Sequence, residues 1–201
     1  RDDVQFESED DYTGFLEEFG MQAEPEGEFV EGAAVTVWMY EDIELNSGYR
    51  AILSEEQFDK YREDSMKLTV TLAFYDNGAD GTFEVYSATH WKYPSSWPLN
   101  AHNANAYDYI AITWDGNPDL YAVQRQLTDL HEDGEEGEWA RCVSDSYAGF
   151  IWFSLDSRSE LVSTTAHVTI EKPEQVLNKT AELCVTYLYS YEGNINPQIW
   201  R

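Results

Sequence analysis

The chain has 201 residues, 42% of them hydrophobic, with 39 Asp and Glu against 12 Lys and Arg and a formal net charge of −27. That length suits one domain, or one domain with an arm. It should bury about 70% of its unfolded surface, enough to fold without a metal or a disulfide framework. The charge repels nucleic-acid phosphates and anionic lipid, and no apolar run approaches the ~18 residues of a spanning helix, so partners of the nucleic-acid kind and membrane insertion are not expected.

The acids are unevenly placed: residues 1–31 hold twelve of them and a single Arg. Salt-adapted proteins share such a composition, but the clustering favours an acidic arm over 1–31 ahead of one domain over 32–201. The chain starts at Arg1, and removal of a preceding segment is the expectation drawn from that. Within the arm, Ser8 with Asp11 reads as a helix start and Gly20 as its stop. Tyr12, Phe15, Leu16 and Phe19 fall at i, i+3, i+4 and i+7 and share one helical face. So short a helix holds its shape only when docked. A polar connector, MQAEPEGEFVEG, follows.

Ala33 to Tyr40 reads as a strand, Tyr49 to Leu53 as a short apolar run, and Glu55 to Asp64 as a helix behind the capping sequence SEEQ. In Met66 to Tyr75, Leu68, Val70, Leu72 and Phe74 alternate with Lys67, Thr69 and Thr71, the pattern of a half-buried strand. An Asn-Gly connection leads to Thr82–Lys92, where Phe83, Val85 and Ser87 alternate with Glu84, Tyr86 and Ala88. The two runs form a hairpin. Tyr93 to Ala106 is a long loop of the kind that carries function.

The stretch from Tyr107 to Asp156 organises the chain. Tyr107–Trp114 and the apolar run Phe150–Leu155 are expected in the middle of an antiparallel β-sandwich. Residues 117–130 fit a helical stripe or a strand. The strand is preferred because it returns beside Ile110–Trp114 as a meander. Thr164–Glu171 and Ala181–Tyr191 close the domain as two more strands. The expected fold is therefore all-β and mainly antiparallel, a β-sandwich with one or two short peripheral helices.

No nucleophile elbow, HExxH, phosphate loop or Cys-His signature occurs, and none of His90, His102, His131 and His167 stands at zinc spacing. His167 lies in an alternating strand, where a surface or cross-strand role is expected, while His90 and His102 flank the long loop. With 39 acids, sequence spacing cannot single out the carboxylate pair of a glycan hydrolase, which ranks last among the readings. Asp76–Glu84 matches a calcium loop at Asp76, Asp80 and Gly81 but fails at Gly78 and Ser87. A hairpin connection is preferred, and a weak calcium site at Asp76 and Asp80 is the one structural cofactor offered.

Cys142 and Cys184 allow one pairing, bridging two strands, or two buried thiols. The spacing Cys142, Trp152, Cys184 resembles that of an immunoglobulin domain over the last third of the chain. Glu182 stands where such a domain has its corner tyrosine, and no family is carried over. Aromatic residues make up 15% of the chain. Trp91, Tyr93, Trp97 and Tyr107 surround the long loop, where exposed rings could stack on a sugar. The reading preferred from sequence is a non-enzymatic, extracellular or cell-surface β-sandwich acting through a protein or glycan partner. A carbohydrate-binding module built on those four rings is the alternative.

Overall fold

In a computed structural model the described residues are 2–41, 50–52, 66–78, 81–92, 107–114, 121–131, 136–137, 141–146, 150–156, 161–171 and 183–188. They form two antiparallel sheets. The larger contains β1 (Asp2–Phe6), β2 (Glu28–Glu41), β3 (Arg50–Ile52), β4 (Met66–Asn77), β5 (Thr82–Lys92), β7 (Tyr121–His131), β8 (Glu136–Gly137) and β11 (Leu161–Glu171). Its order is β1-β2-β4-β5-β11-β7-β8, with β3 also on β2. The smaller runs β12-β6-β10-β9, from β12 (Leu183–Leu188), β6 (Tyr107–Trp114), β10 (Phe150–Asp156) and β9 (Arg141–Ser146). The expected all-β sandwich is the observed fold, and β6 and β10 are the two inner strands of their sheet. In β7, β8 and β9 the description is confined to the backbone.

The sandwich core lies between the sheets. Leu68, Val85, Trp91, Ala166, Val168 and Ile170 of the large sheet pack with Ile110, Ile112, Trp114, Ile151 and Phe153 of the small one. These are the positions that period-two alternation assigns to one face of each strand. The hairpin also forms as expected: Asn77 pairs with Thr82, and Gly81 takes a φ of 65°, which a side chain would disfavour.

A second core covers the opposite face of the large sheet. Phe6, the helix α1 (Glu9–Glu17) through Tyr12 and Leu16, and Met21 pack on Ala34, Ala73, Tyr75, Tyr86 and Ala88. The helix begins where the sequence places it: the Ser8 hydroxyl accepts from the Asp11 amide at 3.2 Å and donates to the Asp11 carboxylate at 2.8 Å. The turn that follows it closes at Gly20, with φ 68°, and the Met21 amide turns back to the Leu16 carbonyl at 3.0 Å. Tyr12 and Leu16 are fully buried, with Phe15 and Phe19 packed beside them. The arm is therefore a layer of the fold.

That layer corrects the reading of β4 as half-buried. Thr69, Thr71, Ala73 and Tyr75, on its polar-looking face, are 0–1% exposed. Two hydroxyl pairs serve this face, Thr36 with Thr69 at 3.0 Å and Tyr12 with Thr71 at 3.3 Å.

Two further expectations are corrected. Residues 121–131 are a strand, but β7 pairs with β11 in the large sheet and not with β6. Alternation marks a segment as a strand and says nothing of its neighbour. Cys184 is an exposed free thiol, neither bridged to Cys142 nor buried. It lies on β12 and Cys142 on β9, at opposite edges of the small sheet with β6 and β10 between them. Three strand spacings make about 14 Å, twice the Cα separation a disulfide spans. The helix expected at 55–64 lies outside the described residues.

Candidate functional site

The convergent polar groups lie under the arm, on the outer face of β5 and β11. Register places Tyr86 opposite His167, Glu84 opposite Thr169 and His90 opposite Ser163. Glu84, 5% exposed, is the one buried charged side chain among the residues whose side chains are described. One of its oxygens, Oε2, accepts from the amides of Glu26 at 2.8 Å and Gly27 at 3.1 Å. Gly27 is required there, because a Cβ would stand 2.8 Å from the Asp76 carbonyl carbon. Beside this clamp the Tyr86 hydroxyl donates to the Glu24 carbonyl at 3.1 Å. The His167 ring stacks flat on Tyr86, with centroids 4.2 Å apart and planes 8° apart. Its Nε2 lies 3.3 Å from Glu84 Oε1 without the alignment of a hydrogen bond.

Burial sets the electrostatics of this cluster. It lowers the pKa of His167 below the ordinary imidazole value, and the neighbouring Glu84 carboxylate only partly offsets that. Burial, and then Glu84, raise Tyr86 far above the usual phenol range. Burial likewise pushes Tyr12 up to about 12, against the opposing hydrogen bond from Thr71. Both imidazole and phenols are thus neutral at pH 7. The Glu84 carboxylate, saturated on one oxygen by two backbone donors and facing a shielded His167 on the other, is built as a clamp on the connector.

Replacing Glu84 tests that role. Bonds to a charged acceptor contribute about 1.5–3 kcal/mol each, and the two amides would be left without a partner. Glu84→Ala is expected to lower stability by about 3 kcal/mol in urea unfolding, and Glu84→Gln, which keeps an acceptor, by about half as much. Equal losses in the two variants would mean that the carboxylate charge contributes nothing.

A second cluster lies further along the same face. The His90 ring sits 4.6 Å from the Phe19 ring at the end of the arm helix. Lys67 and Lys92 face each other across β4 and β5 beside it, and the Lys67 ammonium lies 5.9 Å from the Phe19 centroid.

The residues singled out from sequence fare differently. Trp91 is 3% exposed and belongs to the core between the sheets, so it cannot stack on a sugar. Its parity with Phe83 and Val85 along β5 turns it inward. Tyr93 and Trp97 lie outside the described residues, and Tyr107 is described only as backbone, paired with Asp156 at the start of β6. Asp76 is a paired residue near the end of β4, opposite Glu28 and Phe83, while Asp80 lies outside the described residues. Among the described residues no three His, Cys, Asp or Glu side chains come together to hold a metal ion. His167 takes the cross-strand role and not the surface one, His131 ends β7, and His102 is outside the description. Sequence reasoning places Glu84 and Tyr86 on the strand face opposite Phe83 and Val85 and gives them no role. The available signal is an acid and a tyrosine two positions apart on that face of β5.

Fold and site together define an antiparallel β-sandwich whose large sheet is clamped beneath an N-terminal strand-and-helix arm. No family model matches the chain, and no curated protein does. Solved structures do match. One is a chain described as "pH-induced modulation of Streptococcus parasanguinis adhesion by Fap1 fimbriae", with 9% identity, 80% of this chain and 76% of that chain covered, and a TM-score of 0.33. A likeness at that level carries no weight for function.

Proposed function

We propose that this chain is a non-enzymatic β-sandwich, exposed at or beyond a cell surface, that works through contact with a protein or glycan partner. The observation that supports this reading is the use made of Glu84. This buried carboxylate has its Oε2 taken up by the connector amides, and the imidazole beside it is shielded. The other carboxylates whose side chains are described lie nearer the surface, in a chain of net charge −27. A surface so charged draws basic partner faces and repels polyanions, an effect that salt screens within about 10 Å. The inward position of Trp91 removes one ring from the sugar-stacking platform, and no observation favours that platform over a protein contact.

The test pairs binding with turnover. The immobilised chain is exposed to a glycan array and to surface-displayed basic proteins over a range of salt, and the soluble chain is assayed on glycoside, ester and peptide substrates. Saturable binding that weakens with salt, without turnover, is expected. Hydrolysis that co-purifies with the chain and is lost in a single carboxylate variant would overturn the proposal.

A further inference from the structure

We propose that His90 is an acid-sensitive catch for the N-terminal arm, holding Phe19 and the end of α1 on the large sheet at neutral pH and releasing them on acidification. The inference goes beyond the function proposed above and stands whatever the partner is.

The geometry carries it. His90 lies on the outer face of β5, and Phe19 covers its ring at 4.6 Å with planes tilted by 34°. Its Nδ1 is buried and has no hydrogen-bond partner, so a proton placed there finds no acceptor. Register fixes what surrounds it. From β4 come Thr69, directly opposite, and Lys67; from β5 itself comes Lys92; from β11 comes Ser163. From the arm comes Phe19, beside the exposed Glu17 and Glu18, neither of which pairs with these lysines. The charges acting on His90 are therefore two cations, in a chain where acids outnumber bases by 39 to 12. Like charges opposite one another in a sheet are unfavourable, and a third would add to the repulsion. His167 supplies the internal contrast. It too lies on the covered face, but Glu84 stands 3.3 Å away, so a proton on it gains a counter-ion.

The sign follows from linkage. Burial first, then Lys67 and Lys92, lower the His90 pKa from 6.5 to about 4 in the docked arm. A released arm frees the ring to return toward its ordinary value. The docked state thus binds fewer protons, and its advantage is full above about pH 6.5 and is lost as the pH falls toward 4. The docking equilibrium shifts by at most about tenfold per pH unit in that window, less for a ring still partly in contact with water.

Hydrogen exchange read by mass spectrometry, as protection factors corrected for intrinsic rates, tests this on the full chain between pH 7 and 4.5. Protection of residues 9–19 is expected to fall at least tenfold relative to β10 over that range. His90→Gln should flatten the fall. Lys67→Gln, at a partly exposed position, should shallow it by removing one of the two charges. Constant protection of residues 9–19 would overturn the proposal, and so would an undiminished fall in both variants, since carboxylates would then be the titrating groups.

Discussion

Trp91→Ala is expected to lower stability by about 3–5 kcal/mol, the range for emptying a buried large aromatic site. The side chain is 3% exposed and packs in the core that joins Leu68 and Val85 of one sheet to Ile110, Ile112 and Ile151 of the other. Urea unfolding reads the loss directly. The melting temperature should drop by about 6–20 °C, since 1 kcal/mol corresponds to roughly 2–4 °C in a chain of this size. A ring on an open binding platform would behave oppositely, with binding lost and melting unchanged. An unchanged midpoint in Trp91→Ala would therefore restore the sugar-stacking reading and displace the core assignment.

Tyr12→Ala is expected to cost a similar amount, about 3–5 kcal/mol, but to spend it locally. Tyr12 is fully buried, edge-on to Phe6 at 5.4 Å and stacked with Phe29 at 6.4 Å. Its hydroxyl meets the Thr71 hydroxyl at 3.3 Å, and Thr71 Oγ1 also accepts from the Ala88 amide at 3.0 Å. That bond falls in a gap of the β4–β5 ladder, between the pairs Val70–Thr89 and Ala73–Tyr86. The arm thus reaches a hydroxyl into a sheet at the point where its own pairing is interrupted. Tyr12→Phe, which removes only the hydroxyl, should cost about 1 kcal/mol. Hydrogen exchange should show the region 2–27 opening in Tyr12→Ala while β6 and β10 keep their protection, because the two cores lie on opposite faces of the large sheet. If exchange in residues 2–27 matched the unaltered chain, the second core would contribute nothing to holding the arm.

Much of this was legible in the residues. Leu68, Val70, Leu72 and Phe74 announce a strand face, Ser8 and Asp11 a helix start, and Tyr12 with Leu16 the side on which that helix docks. Each is a relation among residues a few positions apart, which is the range over which side chains point to common faces. Trp91 was legible too, by its parity with Val85. Its nearness to the loop that begins two residues later is what groups it with the rings there. The candidate site was not legible. Glu84 looks like a solvent-facing acid until the amides of Glu26 and Gly27, which lie 58 and 57 positions away, arrive above it.

By itself the sequence determined that this protein is built of antiparallel strands, that a short amphipathic helix lies near its N-terminal end, and that its surface is strongly acidic. Periodicity and charge are properties of the chain that need no partner. Only the tertiary structure decided that β7 joins β11, that Cys142 and Cys184 stand at opposite edges of a sheet, and that the polar-looking face of β4 lies beneath the arm. Strand pairing and layer stacking satisfy backbone groups and bury side chains between segments far apart in the chain, and alternation along one strand carries no record of which distant segment will cover it.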